Sequence, residues 1–281
     1  MSKLRVSVVQ YLNTAPLVWG FTKGPLRGKY ELSFTVPSLC AEALRTGAAD
    51  VAIIPAIEYQ RIPGLVILPD LAIASKKSVR SLLLIAKRPI AEVRSIALDQ
   101  SSRSTQALTR ILCAEHWKIA PEFHEAAPDV YRMLKGADAA LLIGDPALHL
   151  ATMSPAGSLE DKSAWFKYDI VEEWRALTGL PAVLAVWAAR AEVVTPELID
   201  DFQRSRDLGM EKIAEISREA FLEMRMPAEK LERYLRENID FTLDAENLAG
   251  LRRYFAEAAK LGLIAEAKEL EIAGARLVAK G

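Results

Sequence analysis

Residues 80–99, RSLLLIAKRPIAEVRSIALD, decide how the chain is divided. Two strand-like apolar runs, RSLLLIA and SIALD, are separated by a charged segment that contains Pro89. Proline removes a backbone donor and biases its predecessor away from helix, so regular structure breaks within KRPIAEVR. SIALD then opens a fresh alternation of strand and helix, which ends near residue 185 with the return run AVLAVWAAR. Two crossovers are expected, near residues 86–95 and 178–190. The predicted organisation is a larger lobe of residues 1–90 with 186–281, carrying the C-terminal helices, and a smaller inserted α/β lobe of residues 91–185. A ligand cleft would lie between them.

The flanking sequence fits an α/β protein. LRVSVV, YELSFTV, DVAIIPA and LVILPDLAIA precede the dividing stretch, and ALLIG and AVLAVWAA follow it, alternating with helical patterns. Such alternation predicts a parallel-rich sheet built of βαβ units. Between YELSFTV and DVAIIPA, Cys40, Ala43 and Leu44 fall at helical spacing, with Ser38 placed to cap and Gly47 to terminate. STQALTRILCAEHW repeats the pattern with Leu108, Ile111 and Leu112. From Pro196 onward the chain reads as long amphipathic helices, a cover packed on a sheet. The terminal ARLVAKG, residues 275–281, is expected to fray.

Thirty-six basic residues against thirty-seven acidic ones leave a net charge of −1 over 281 residues. No long-range field therefore favours nucleic acid or an anionic membrane, and a partner must be recognised locally. No uncharged apolar run approaches the ~18 residues of a membrane span. The first apolar run is cut by Gln10 and Asn13, unlike a secretion signal, and Cys40 and Cys113 stand far apart among aliphatics. Both features predict a cytoplasmic protein with buried thiols. Dinucleotide, phosphate-loop, nucleophile-elbow and zinc-protease motifs are missing, and His116, His124 and His149 stand outside metal-ligand spacing. Neither cofactor nor metal is expected, and no feature sets the oligomeric state.

Strand-to-helix junctions carry the chemistry. In ALDQSSRSTQALTRIL an apolar strand ends at Asp99, Ser101, Ser102, Arg103 and Ser104 follow, and Thr105 leads into a helix. Free backbone N–H groups, a positive dipole end and side-chain donors meet there, as a carboxylate or phosphate site requires. YLNTAP places Asn13 and Thr14 at the carboxyl end of the first strand, where open α/β sheets bind ligands, although a simple turn would use the same residues. Pro55 and Ala56 end another strand, Arg80 and Ser81 begin one, and Gly144 and Asp145 end a fourth, with Asp145 placed to cap and Pro146 at the first helical position.

In this order and spacing, YLNTAPLVWG, DVAIIPAIEY, SVRSLLL, ALDQSSRSTQALTRIL and DAALLIGDPAL resemble the chorismate dehydratases of the futalosine route to menaquinone, over about residues 4–190. The resemblance implies the two-lobed type II architecture of periplasmic solute-binding proteins, used as a cytoplasmic enzyme. The implied reaction removes water from chorismate, a dianion, to give 3-[(1-carboxyvinyl)oxy]benzoate. It maps the pocket onto Asn13, Ser81, Ser104 and Thr105. Ser104 and Thr105 are then expected to hold one carboxylate, while Asn13 and Ser81 orient the reacting ring edge and the departing hydroxyl. No His or Glu in these motifs is an evident base, which leaves a carboxylate of the substrate to take the proton. Two alternatives share the scaffold. One is 1,4-dihydroxy-6-naphthoate synthase, a family with a catalytic His where this chain has Gly144; the other is a solute-binding protein without chemistry.

Overall fold

The computed structural model of the chain describes residues 3–152 and 165–274, so ARLVAKG lies outside the described residues. β1 (Arg5–Val9) leads through a 3₁₀ turn (Leu12–Thr14) into α1 (Ala15–Thr22); β2 (Glu31–Thr35), α2 (Pro37–Arg45), β3 (Val51–Pro55), α3 (Ala56–Arg61) and β4 (Leu65–Ser75) follow. Next come β5 (Leu82–Ala86), β6 (Ser95–Asp99), α4 (Ser104–Ile111), β7 (Glu122–Ala126), α5 (Val130–Gly136), β8 (Ala139–Ile143), α6 (Gly144–Thr152), β9 (Phe166–Asp169) and α7 (Ile170–Thr178). The chain returns as β10 (Ala182–Arg190). It finishes in α8 (Pro196–Glu211), α9 (Ile213–Met224), α10 (Ala228–Arg233), a π-helical turn (Tyr234–Asn238) and α11 (Ala245–Lys260).

The strands form two five-stranded sheets, ordered β2-β1-β3-β10-β4 and β7-β6-β8-β5-β9. In each, three neighbouring strands are parallel and the fourth is antiparallel. The sheets are thus mixed rather than parallel-rich. The antiparallel members, β10 and β5, are the strands that arrive from the opposite lobe, so they enter their sheets running the other way.

This topology also moves the expected boundaries. β5 pairs with β8 along its whole length, from Leu82 with Ile143 to Ala86 with Ala139, so RSLLLIA belongs to the second lobe. β10 joins the first sheet from Ala182, where it pairs with Ser75. The chain therefore crosses at residues 76–81 and 179–181, not near residue 90, and the inserted lobe ends before residue 182. KRPIAEVR is a surface loop within the second lobe, holding a short 3₁₀ turn at Ile90–Glu92.

Buried residues of both lobes form one main apolar cluster, with a smaller one on the outer face of the second sheet. β5 shows the division: Leu82, Leu84 and Ala86 join the main cluster, whereas Leu83 and Ile85 face the smaller one. The C-terminal helices cover the first sheet and bridge the lobes, because α11 packs on β10, α3 and α4.

Side-chain caps hold only part of the scaffold, and α9 and α10 lack them. Asp129, Asp169, Thr195 and Asp244 cap α5, α7, α8 and α11 by accepting backbone N–H groups. α1, α2, α3 and α4 have no side-chain cap. Ser38 lies within α2, whose cap position is held by Val36, while Gly47 at φ +73° follows the helix end as expected. Among the described residues, no helix is long and apolar enough to cross a membrane.

Candidate active site

The uncapped ends of α2, α3 and α4 meet between the lobes. They enclose a narrow cavity of about 60 Å³ whose wall includes Tyr11, Asn13, Pro37, Pro55, Ser102, Arg103, Ser104, Thr105 and Gly144. Apolar residues of both sheets, among them Val9, Ile73, Leu82, Ile143 and Leu184, complete it. None of the described lining residues is a carboxylate, an imidazole or a lysine. Hydroxyls, one amide, Arg103 and helix N-termini provide its polarity, so the cavity suits negative charge.

Asp99 shapes the polar loop without entering the cavity. Its buried carboxylate accepts from Ser101 N (2.9 Å), Ser101 Oγ (2.6 Å) and Ile143 N (3.3 Å). Burial raises its pKa, an effect these donors oppose. Held this way, the turn presents Ser102, Ser104 and Thr105, each buried, at the start of α4. Ser104 Oγ accepts from Ile57 N across the cleft (3.2 Å), and its carbonyl accepts from Tyr254 Oη (3.0 Å). With its oxygen so engaged, the Ser104 hydroxyl still has its proton to donate. Arg103 lines the wall, and its guanidinium reaches Glu125 at 3.4 Å.

On the opposite wall the 3₁₀ turn after β1 buries Asn13 and Thr14. Asn13 faces the cavity, whereas Thr14 faces a neighbouring groove and sends its hydroxyl to Asn13 Oδ1 at 3.5 Å. Gly144 adopts φ +66°, and a Cβ there would stand 2.7 Å from the Tyr11 ring. Glycine is needed at this position on both counts.

Four other predicted residues sit elsewhere. Ala56 is fully buried at the start of α3. Arg80, at φ +61°, donates its backbone N–H to Asp169 (2.7 Å) and its guanidinium to the Ala151 carbonyl (3.3 Å), outside the cavity wall. Ser81 is buried behind the wall and accepts from Tyr234 Oη at 2.9 Å. Asp145 does not cap its own helix in the way expected; it reaches across the lobes to accept from Leu12 N, at 3.2 and 3.4 Å to its two oxygens.

Sequence reasoning does not single out Tyr11, Tyr234 or Tyr254. Tyr11 stands within the quoted YLNTAP; the other two fall among Leu231, Leu235, Leu251 and Phe255, where helical periodicity reads them as core. A larger groove of about 560 Å³ lies beside Tyr11 between α1 and α9. An ion pair of Lys23 with Glu219 stands in it, and Asp145, Glu219 and Glu223 line it, which makes it a poor seat for an anion. The chemistry therefore points to the narrower interlobe cavity.

Two α/β lobes closing helix N-termini around a small cavity define a protein of the periplasmic-binding-protein fold. A protein of Archaeoglobus fulgidus superposes with a TM-score of 0.73 at 19% identity, covering 93% of this chain and 98% of that one. The alkanesulfonate-binding protein SsuA of Xanthomonas axonopodis pv. citri, solved bound to MOPS, gives a TM-score of 0.65 at 14% identity, covering 94% of each chain. More particularly, the chain belongs to the menaquinone biosynthesis family, whose pattern matches residues 4–260. It is 28% identical over 263 residues to the chorismate dehydratase of Thermus thermophilus, across 90% of this chain and 93% of that protein.

Proposed function

We propose that this protein is a hydro-lyase that converts chorismate to 3-[(1-carboxyvinyl)oxy]benzoate and water in menaquinone biosynthesis. The observation that carries the reading is nearly full-length similarity to a chorismate dehydratase, joined to an interlobe cavity lined by donors and helix N-termini. One substrate carboxylate is received at the start of α4 by Ser104, Thr105 and Ser102. Asn13, from the opposite wall, orients the ring edge. The C–H bond at the carbon bearing the enolpyruvyl ether breaks, its electron pair forms the new ring double bond, and hydroxide leaves the neighbouring carbon. Aromatisation drives the step, so a weak base suffices if it is well placed. With no carboxylate or imidazole among the described lining residues, the enolpyruvyl carboxylate of the substrate takes the proton and the closed lobes exclude water.

Gly144 disfavours the naphthoate synthase alternative, since a histidine there meets both the left-handed backbone and the Tyr11 ring. The same reading places the protein in the cytoplasm, a reducing compartment suited to the free, buried Cys40 and Cys113. Purified protein incubated with chorismate is expected to form an aromatic product detectable by its benzoate absorbance, one water lighter than the substrate. Saturable binding with chorismate left intact would overturn the enzyme in favour of a binding protein. Asn13→Ala and Ser104→Ala are each expected to lower kcat/KM at least about tenfold, equivalent to about 1.4 kcal/mol of transition-state stabilisation. Near-full turnover in both variants would overturn the assignment of the walls.

A further inference from the structure

We propose that Tyr254 of α11 is a positioning residue for substrate binding, acting through Ser104 at the start of α4. The inference rests on the proposed reaction, and Tyr254 lies outside every motif that suggested that reaction.

Ser104 is held from two sides. Its hydroxyl oxygen accepts from Ile57 N of α3 at 3.2 Å, and its carbonyl accepts from Tyr254 Oη at 3.0 Å. The first contact occupies a lone pair of the hydroxyl, and the second fixes the backbone that carries it. Ser104 lines the interlobe cavity and begins a helix without a side-chain cap, so no local side chain steadies this first turn.

Tyr254 is itself fixed. It is buried, its ring edge-on to Trp174 of α7 with centroids 6.2 Å apart and tilted against Phe255 at 5.5 Å. One turn earlier on the same face, a Cβ on Gly250 would stand 2.2 Å from the Pro181 carbonyl oxygen, so α11 meets the 179–181 crossing at backbone distance. That carbonyl also accepts from Trp174 Nε1 at 3.1 Å. The helix is thus anchored at the return crossing between the lobes, and Tyr254 carries that anchor to the start of α4. Burial holds the phenol above its ordinary pKa, so it keeps the proton it donates. A buried tyrosine that finds a carbonyl partner is common in cores. Here the carbonyl belongs to the residue proposed to receive a substrate carboxylate, and the bond therefore bears on binding.

Loss of the phenol oxygen leaves the rings packed but releases the Ser104 backbone from α11. The proposed reaction uses the enolpyruvyl carboxylate as base, so a ring carboxylate held at α4 keeps its charge throughout. Its contacts then weaken equally in the ground state and the transition state, which raises KM and spares kcat.

The experiment compares steady-state chorismate turnover and thermal melting of the full chain carrying Tyr254→Phe, Ser104→Ala or both. Tyr254→Phe is expected to raise KM about fivefold with kcat within twofold of wild type. The double variant should show a KM no higher than Ser104→Ala alone, because one residue acts through the other. Wild-type KM in Tyr254→Phe overturns the proposal, even where the melting point falls, since the bond then serves the core alone. KM increases that multiply in the double variant overturn it as well. Should Tyr254→Phe fail to fold, Tyr254→Met also lacks the oxygen and carries the same expectation; wild-type KM there, or loss of folding in both, overturns the positioning role. A wild-type protein that leaves chorismate intact overturns the underlying reaction, a result distinct from these.

Discussion

Gly144 carries two constraints that meet in one atom. Its φ of +66° is costly for any residue with a Cβ, and that Cβ would stand 2.7 Å from the Tyr11 ring. Gly144→Ala is therefore expected to destabilise the protein by about 2–3 kcal/mol, of which about 1–2 kcal/mol comes from the left-handed backbone. Urea denaturation measures the loss. Combining it with Tyr11→Ala should recover only the packing share, and full recovery would show that the backbone imposes no strain. Other candidate residues are legible in the sequence because hydroxyls, Asn and Gly at strand ends are costly in an apolar core. Asn13, Ser102, Ser104, Thr105 and Gly144 were found in this way and do line the cavity. Asp145 and Arg80 gave the same signal, but their partners, Leu12 N, Asp169 and the Ala151 carbonyl, are long-range contacts that local spacing does not encode.

Position of the Asn13 turn depends on α1, and α1 depends on α8. Gly20 N donates to Ser205 Oγ at 3.0 Å, and Ser205 Oγ donates to the Leu17 carbonyl at 2.9 Å. A Cβ on Gly209 would overlap the backbone carbonyl of Pro16, so the two helices approach at backbone distance. Gly209→Ala must push α1 away, at a cost of about 2–3 kcal/mol. Thermal melting should fall by about 5–10 °C, and activity should fall further than stability explains, since the shift moves Asn13. An unchanged melting point would show that α1 tolerates displacement. Neither glycine announced this role: within an amphipathic pattern, a helical glycine looks like a weak point. The legible elements are those with apolar runs, and β3, β5 and β8, each buried at every residue, are the clearest. β7 and β9 are outer strands of their sheet with largely exposed side chains, so they lack that signature. The lobe boundary was misplaced for a related reason. Charge in KRPIAEVR resembled a linker, whereas the true crossing is the six residues 76–81 beside a strand that looks the same in either lobe.

Both lobes contribute to the closed cavity, and the contacts joining them must yield when a substrate enters. Leu12 N to Asp145, Ser38 N to the Ser101 carbonyl and Ile57 N to Ser104 Oγ all cross the cleft. Asp145 makes this closure sensitive to protons. Burial, assisted by Glu223 of α9, raises its pKa from 3.8 to about 6, and His149 lines the same side pocket. Between about pH 4 and pH 6 the folded protein therefore holds a proton that the unfolded chain has released. Stability contributed by this group is full below its ordinary pKa, falls as pH rises through that window and is level above it. The move from 3.8 to about 6 corresponds to about 3 kcal/mol. Asp145→Asn keeps an acceptor for Leu12 N and removes the charge, so its stability relative to wild type should rise by about 2–3 kcal/mol between pH 4 and pH 7.5. Urea denaturation of both proteins across that range checks the sign as well as the size. A difference independent of pH would show that Asp145 titrates as it does in water and that closing the lobes does not desolvate it.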